Sequence, residues 1–318
     1  MRGELQDAAA FLRSADYIHI LSHQYPDGDT IGSAAALCLA LRKMGKHADM
    51  MCNDPFSSRY GYMLAGLEPE GFEPQAVVAV DIADPQLLGS KMMHYADRVD
   101  WCIDHHPSNT GYAKVTYVRP EAAATTEIIY ELVEMLGVEI GSQIADCIYT
   151  GITTDTGCFR YTNATAHTYR VAARMMEYGA RAAEINRIMF DTKSRARLEI
   201  ERRVLDTITF YYGGRVAVVY VTQAMKKEAG AHSSDMEGLA AMPRQVEGVS
   251  VGITMREKED GTFKISMRTN THINASKICA KFGGGGHAAA AGCVLEGPVE
   301  AARRKLVDAL KPVFGGQA

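Results

Sequence analysis

Residues 17–30 read YIHILSHQYPDGDT, an apolar run followed at once by a histidine, two aspartates and a glycine. The run Tyr17–Leu21 has the composition of a buried strand, and a helix-type pattern comes after it. Two later runs have the same character, Ala76–Val80 and Val99–Ile103. Strands that alternate with helices form a parallel sheet, so the sequence predicts an α/β fold for this part of the chain.

Acidic and histidine residues follow these three strands, and a further aspartate lies in the later segment 153–157. The set is His23, Asp27, Asp29, Asp81, Asp104, His105, His106 and Asp155. Ligands of parallel sheets gather at the carboxyl ends of the strands, so we expect these side chains to meet in one crevice. Oxygen and imidazole donors without thiolate favour Mn²⁺, our choice, or Mg²⁺, with Fe²⁺, Co²⁺ or Zn²⁺ as competitors. The sequence therefore predicts a site for two divalent ions.

Each of these elements is a weak signal when taken alone. An Asp-x-Asp pair usually caps a turn, and a lone histidine is more often a surface or hydrogen-bonded residue. Four such elements in order, three of them after strands, favour the metal site. Carboxylates clustered in a cleft repel one another unless a cation is bound.

The bulk composition is that of an ordinary globular protein. The chain has 318 residues, 47% hydrophobic and 23% charged, which is enough for two domains. No apolar stretch approaches the roughly 20 residues that span a bilayer, and the N-terminus lacks the apolar region of a secretory signal. The seven cysteines form no CxxC pair, which argues against a disulfide framework or a thiolate zinc site. We expect a cytoplasmic protein that does not contact membranes.

The balance of charged residues differs between the N-terminal and the C-terminal part of the chain. Residues 1–190 carry 15 Lys and Arg against 24 Asp and Glu, and residues 191–318 carry 19 against 14. An acidic part that needs cations and a basic part that holds anions suit metal-dependent chemistry on a phosphorylated substrate, although ordinary surface variation explains the asymmetry nearly as well. The balance argues against binding of long duplex DNA.

We expect a catalytic parallel-sheet domain over 1–190, a connecting helix over 191–206, and a smaller α/β domain over 207–318, with the active-site cleft between the domains. The main helices are expected at 31–44 after an Asp29-Thr30 cap, 125–136, 142–149, 165–178 and 277–282. In the second domain, 215–221 reads as an apolar strand, and 249–256 with 262–267 as an antiparallel pair.

Four glycines in a row, Gly283–Gly286, precede His287 in the second domain. Such a run loses much conformational entropy on folding, and its N–H groups can form an anion-binding nest; a flexible hinge is the alternative. Arg268 ends a strand where it could hold a phosphate by two hydrogen bonds. Arg160 is a further phosphate candidate, though a surface arginine is nearly as good an explanation. The predicted substrate-binding set is Arg268, Gly284, Gly285, Gly286, His287, Arg160 and Asn274, the last of which a helix cap alone would explain.

The order His23-x-x-x-Asp27-x-Asp29, Asp81, Asp104-His105-His106, Asp155 resembles the DHH phosphoesterase superfamily. The resemblance implies the role of each residue in this set. His23 and Asp27 would bind the first metal, Asp29, His105 and Asp155 the second, and Asp81 would bridge them. His106 would face the scissile phosphate, and Asp104 would orient its neighbours.

Ser266-Met267-Arg268, a helix and Gly283–His287 resemble the DHH-associated C-terminal domain. The compact two-domain form is similar to the nanoRNase/pAp phosphatase group. This resemblance implies hydrolysis of oligoribonucleotides of two to five nucleotides to mononucleotides, and removal of the 3′-phosphate of pAp. Partners would be short single-stranded RNA or a nucleoside bisphosphate, and the sequence leaves a homodimer open.

Two rival interpretations remain. The nearer one is a signalling phosphodiesterase for pApA or cyclic di-AMP, which the sequence hardly separates from the first. The other, from a different class, is a nucleotide-binding regulatory protein with a degenerate site. The complete ligand set argues against the second, because idle carboxylates in a cluster destabilise a fold.

Overall fold

The structure is a computed structural model that describes residues 1–236, 238–270, 272–286 and 288–315. The chain divides into two compact units, Met1–Thr192 and Lys193–Ala318. No helix within the described ranges is long and apolar enough to cross a membrane.

The first unit combines a parallel sheet with helices on both of its faces. Its strands are β1 (Ile18–Leu21), β2 (Ala48–Met51), β3 (Ala76–Val80), β4 (Trp101–Asp104) and β5 (Val115–Val118). Its α-helices are α1 (Leu5–Ser14), α2 (Gly28–Lys43), α3 (Gly61–Leu64), α4 (Gly89–Met92), α5 (Thr125–Leu136), α6 (Ser142–Asp155), α7 (Ala166–Glu177) and α8 (Ala182–Asn186). Short 3₁₀ turns lie at Ser58–Tyr60, Pro85–Leu88 and Met93–Arg98, and a π-helical turn at Arg187–Asp191.

The strand order is β2-β1-β3-β4-β5, and every neighbouring pair is parallel. Strands β1, β3 and β4 are buried along their whole length, as expected where helices cover both faces of a sheet. The predicted parallel α/β fold is therefore confirmed. The strand order reverses between β1 and β3, and the crevice outside the carboxyl ends at such a point is where open α/β sheets bind ligands.

Small residues let α2, α5 and α6 approach closely beside this crevice. A Cβ atom at Gly28 of α2 would lie 2.4 Å from Oγ1 of Thr154 in α6. A Cβ atom at Gly151 of α6 would lie 2.3 Å from Cγ2 of Thr126 and 2.7 Å from Oδ1 of Asp29. Any larger side chain at Gly151 would push against the carboxylate of Asp29, so the glycine is part of what positions that carboxylate.

The second unit is built on a mixed sheet. Its strands are β6 (Thr209–Tyr211), β7 (Val216–Val221), β8 (Val251–Glu257), β9 (Phe263–Thr269), β10 (Gly285–Gly286) and β11 (Ala290–Leu295), in the order β10-β11-β9-β8-β7-β6. Its α-helices are α9 (Arg195–Leu205), α10 (Gln223–Glu228), α11 (Ala275–Ala280), α12 (Val299–Ala309) and α13 (Lys311–Phe314), with 3₁₀ turns at Ser233–Met236 and Leu239–Gln245. The predicted antiparallel pair is confirmed as β8 and β9, and only β7 and β8 run parallel among the described strands of this sheet.

Several helix boundaries differ from the sequence-based expectation, and α11, expected at 277–282, spans Ala275–Ala280. Helix α2 begins at Gly28 after an Asp27 cap, whose carboxylate accepts the N–H groups of Asp29 and Thr30, so the Asp29-Thr30 cap was wrong. Helix α6 continues past the expected end at residue 149 and reaches Asp155. Its threonines allow this because their hydroxyls bond back to carbonyls of their own helix, as Thr154 does to the carbonyl of residue 150.

Strands β5, β6 and β11 did not stand out in the sequence. Strand β11 has the sequence AAGCVL, and its alanines and glycine have low strand propensity. It forms because it pairs along its length with β9, which is a contact with distant residues. Tertiary pairing decides the structure of this segment rather than local composition.

Candidate metal centre

The structure brings seven of the eight acidic and histidine residues predicted for the site into three groups of potential metal ligands, and Asp104 contacts His106 beside them. Three groups have ligand atoms that all lie within 4.8 Å of one another: His23, Asp27 and Asp81; Asp29, His105 and Asp155; and Asp81, His105 and His106. These side chains come from the ends of β1, β3 and β4, from the start of α2 and from the end of α6. Each group has the oxygen and nitrogen donors of a divalent-ion site.

The first group lies between β1 and α2. The Nε2 atom of His23 is 3.7 Å from Oδ1 of Asp27 and 3.6 Å from Oδ2 of Asp81. Its other ring nitrogen, Nδ1, lies 2.8 Å from the carbonyl of Gln24 and donates to it. The bond to a carbonyl places the proton of the neutral ring on Nδ1, which leaves the Nε2 lone pair facing the carboxylates.

The second group is built in the same way around His105. Its Nε2 atom is 3.3 Å from Oδ2 of Asp155 and 4.0 Å from Oδ2 of Asp29. Its Nδ1 atom donates to the carbonyl of Ala122 over 3.1 Å. Both histidines therefore present Nε2 to carboxylates while a backbone carbonyl fixes the other side of the ring.

Asp81 lies between the two groups. Its Oδ2 atom faces His23, and its Oδ1 atom is 3.7 Å from Nε2 of His105. The hydroxyl of Thr125 donates to Oδ1 over 2.8 Å, and the backbone of Asp81 has φ 61°, in the left-handed region that aspartate tolerates better than most residues. One carboxylate thus offers a separate oxygen to each group, which is the geometry that a bridging ligand needs.

Asp29 is buried, and the N-terminus of α5 holds it. The N–H groups of Thr125 and Thr126 donate to its two oxygens over 2.7 and 2.9 Å, and the hydroxyl of Thr126 adds a bond of 2.9 Å. The first N–H groups of a helix have no partner within the helix, and the helix dipole favours a negative charge there. The sequence predicted this helix start but not its contact with Asp29; unpaired amides at a helix start were the available signal.

Asp104 organises the turn that carries both neighbouring histidines. Its Oδ1 accepts Nδ1–H of His106 over 2.8 Å and the backbone N–H of His105 over 2.8 Å, and its Oδ2 accepts from Asn109 over 2.6 Å. Burial alone would raise the pKa of Asp104, but hydrogen bonds from His106 and Asn109 lower that pKa below its ordinary value. Asn109 was missed in the sequence, although it lies five residues after Asp104 in the same motif.

The charges of the site fit bound cations. Burial first, and then the neighbouring carboxylates, hold the pKa of Asp29 and of Asp155 well above the ordinary 3.8. Burial would lower the pKa of His23, but Asp27 and Asp81 raise it to about 11. Protons thus reduce the repulsion among four carboxylates, and divalent cations would replace these protons. The described residues include acidic and histidine groups that could hold metal ions.

This competition between protons and metal predicts a pH-dependent stabilisation. The raised pKa of Asp29 and of Asp155 stabilises the metal-free protein at low pH, and this contribution is lost as the pH rises through the raised values. Bound Mn²⁺ should restore the lost stability, because the ion neutralises the carboxylates that the protons have left. We therefore expect Mn²⁺ to increase the Tm by about 5 °C or more at pH 8 and by less at pH 5.5. Thermal unfolding in EDTA and in Mn²⁺ at both pH values measures the effect. The surface variant Asp97→Asn should keep the gain and Asp155→Asn should lose much of it, whereas equal gains at both pH values would contradict the prediction.

The residues predicted to contact substrate are distributed over both units of the chain. Nε of Arg160 donates to the carbonyl of Gly157, and the guanidinium lies 5.9 Å from the ring centre of Phe190. Arg268 lies on β9, and Asn274 caps α11 by accepting the N–H of Lys277 over 3.0 Å. His287 lies outside the described residues.

The glycine run pairs as a short strand rather than forming an open loop. Gly285 and Gly286 form β10 against β11, while the N–H groups of Gly283 and Gly284 donate to carbonyls at the end of α11. A Cβ atom at Gly284 would lie 2.2 Å from the carbonyl oxygen of Gly292, so only glycine fits there. The first two amides of the run are therefore already bonded within the fold.

Known protein families match both units of the chain. The model of the DHH family, N-terminal domain, matches residues 17–152, and the model of the DHHA1 domain matches residues 213–315. The bifunctional oligoribonuclease and PAP phosphatase NrnA of Thermus thermophilus is 35% identical over 304 residues, which cover 92% of this chain and 89% of that protein. The chain belongs to the DHH family.

Other DHH-family relatives cover almost the whole chain as well. The protein of the same name from Bacillus subtilis is 25% identical over 290 residues, covering 87% of this chain and 88% of that one. The crystal structure of an exopolyphosphatase-related protein from Bacteroides fragilis aligns with a TM-score of 0.87 and 25% identity, covering 98% of this chain and 97% of that one. The likeness to these proteins therefore extends over most of this DHH-family chain.

Proposed function

We propose that this chain is a Mn²⁺-dependent phosphoesterase that hydrolyses oligoribonucleotides of two to five nucleotides to mononucleotides and removes the 3′-phosphate of pAp. The observation that carries the proposal is the carboxylate of Asp81, whose two oxygens face His23 and His105 separately. Family membership supports the phosphoester chemistry. The relatives named for activity on oligoribonucleotides and PAP support the choice of substrate.

The proposed ligands of one ion are His23 and Asp27, those of the other are Asp29, His105 and Asp155, and Asp81 serves both. Two divalent ions supply the charge that activates a water molecule and neutralises the phosphoryl oxygens in the transition state. The oxygen and imidazole donors favour Mn²⁺, with Mg²⁺, Co²⁺ or Fe²⁺ as substitutes. The protein contributes a rigid set of donor atoms. Backbone carbonyls fix the rings of His23 and His105, and backbone N–H groups of α5 fix Asp29.

His106 is the proposed contact to the scissile phosphate. Its side chain is 40% exposed, the most open imidazole of the cluster, and its Nδ1–H is held by Asp104. The hydrogen bond to Asp104 raises the pKa of His106 to about 9, so the ring carries a proton on both nitrogens at neutral pH. The Nε2–H group can then donate to a phosphoryl oxygen as negative charge develops on it.

Residues of the second unit are proposed to bind the terminal phosphate of the substrate. Arg268 can supply two parallel hydrogen bonds, and Gly285 and Gly286 let the backbone come close to an anion. The proposed set also includes Gly284, His287 and Asn274 of this unit and Arg160 of the first unit. Recognition of an end phosphate explains how one site could take both a short RNA and pAp. We place the enzyme in the cytoplasm, with short single-stranded RNA or a nucleoside bisphosphate as its partner.

The test is product release from four substrates by the metal-stripped protein with added Mn²⁺. The substrates are pAp, a 5′-phosphorylated dinucleotide, a 24-mer RNA and cyclic di-AMP. We expect rapid turnover of pAp and of the dinucleotide and slow turnover of the other two. Turnover of cyclic di-AMP without turnover of pAp would replace the proposal with a signalling phosphodiesterase, and binding without any turnover would leave a regulatory protein.

A further inference from the structure

The second ligand group depends on two segments that are distant in sequence. His105 follows β4, and its ring is oriented by the carbonyl of Ala122 in the segment before α5. Asp155 is the last residue of α6. The 3.3 Å separation between Nε2 of His105 and Oδ2 of Asp155 therefore requires that the 122–124 segment and the end of α6 keep a fixed relation.

Asn163 joins these two segments directly. It lies between α6 and α7, and its Nδ2 atom donates to the carbonyl of Ala123 over 3.0 Å and to the carbonyl of Asp155 over 3.2 Å. Both partners are acceptors only, so the NH₂ side of the amide must face them. The half-buried side chain of Asn163 thus links the backbone of Ala123 to the backbone of Asp155. Ala123 directly follows Ala122, whose carbonyl accepts the hydrogen bond from His105.

The peptide of Ala123 is held from its other side as well. Its N–H group donates to Oε2 of Glu127 over 3.2 Å, and both residues are buried. The N–H and the carbonyl of one buried residue are therefore both bonded to side chains. A backbone fixed at both groups has little freedom to shift, so the position of the 122–124 segment is set by Glu127 and Asn163 together.

We propose that Asn163 is a positioning residue for the second metal ion. It touches neither the ion nor the substrate; it holds the carbonyl segment that orients His105 in register with Asp155. The proposal rests on the two-ion site described under Proposed function. Loss of a partner that orients metal ligands typically lowers metal affinity by about 10- to 100-fold, and we expect a loss of that size at the second ion alone.

Two variants distinguish the effect of the two Asn163 hydrogen bonds from the effect of the shape of its side chain. Asn163→Ala removes both hydrogen bonds. Asn163→Asp keeps the shape but places a carboxylate oxygen against two carbonyl oxygens, so it should weaken the second ion at least as much. Asn186→Ala is the matched control, because it removes an asparagine whose Nδ2 bonds only the hydroxyl of Tyr149 among the described contacts.

The experiment is a Mn²⁺ titration of the metal-stripped full chain by calorimetry, with free Mn²⁺ followed by EPR and Tm measured in EDTA. We expect two ions bound by the wild type and by Asn186→Ala, and in both Asn163 variants an unchanged first ion with a second ion weakened about 10- to 100-fold. Excess Mn²⁺ should restore the kcat of Asn163→Ala. Two ions bound with unchanged affinity in the Asn163 variants, or equal weakening of both ions, would overturn the positioning role. A wild type that binds fewer than two ions would instead overturn the two-ion site itself.

Discussion

Asp81→Asn is expected to reduce phosphoester hydrolysis by about 10³-fold or more in saturating Mn²⁺, while the protein stays folded. The carboxylate of Asp81 is the only one of the cluster whose two oxygens face histidines of different groups in the described residues. Asparagine keeps the shape, tolerates the backbone φ of 61° and retains an oxygen for the hydroxyl of Thr125. The loss would therefore report the missing charge between the ions rather than a disturbed fold.

The same substitution should change the stability of the metal-free protein little. Removal of the Asp81 charge relieves its repulsion with Asp29 and Asp155, but it also removes the attraction by which Asp81 raises the pKa of His23 and of His106. We expect the Tm of Asp81→Asn in EDTA to lie close to that of the wild type at pH 8, and its gain with Mn²⁺ to be much smaller. The control is Asp84→Asn, whose side chain caps the 3₁₀ turn that follows and lies outside the three ligand groups.

Measured values of kcat/KM for pAp together with Tm in EDTA and in Mn²⁺ decide this prediction. Asp84→Asn should keep its activity and its gain with Mn²⁺. Near-normal activity of Asp81→Asn in excess Mn²⁺ would remove Asp81 from the metal site. A large fall of its Tm in EDTA would show that the carboxylate has a structural role.

The sequence predicts the parts of this centre that depend on strand ends. Parallel strands deliver the residues after them to one edge, so His23, Asp81 and His105 could be expected together before any coordinates. The hydrogen bonds that hold the metal-ligand side chains in place could not be expected from the sequence. The amides that hold Asp29 come from Thr125 and Thr126, almost a hundred residues away, and only tertiary packing brings them there.

The remaining differences also come from contacts that a local pattern does not contain. Asp155 is positioned by a helix that the sequence predicts to end at residue 149 but that continues, because its threonine hydroxyls bond to carbonyls of the same helix. The run Gly283–Gly286 is predicted to form an anion-binding nest or a flexible hinge, yet its last two residues pair with β11. In each case the structure follows from a hydrogen-bond partner, and residue type alone does not name that partner.

Asp104→Asn is expected to lower kcat/KM on the order of 10²-fold at pH 8 and to move the alkaline limb of the pH profile toward neutrality. The hydrogen bond to Asp104 is the largest cause that raises the pKa of His106 from 6.5 to about 9. The variant should therefore lose the ring proton at a lower pH than the wild type, because asparagine carries no charge to stabilise it. The proton available to the phosphoryl oxygen disappears at that lower pH as well.

The His106 C–H resonances of the metal-free protein give this pKa directly by NMR, and the pH dependence of kcat/KM for pAp gives its effect on turnover. Asp100→Asn is the control, since Asp100 is paired with Lys114 and bonded to the backbone of Val77. It should leave both the resonance and the profile unchanged. An unchanged alkaline limb in Asp104→Asn, with the His106 pKa lowered as expected, would mean that protonated His106 does not act in the reaction. An unchanged His106 pKa would mean that the neighbouring Asp81, 3.6 Å from Nδ1, sustains the proton instead.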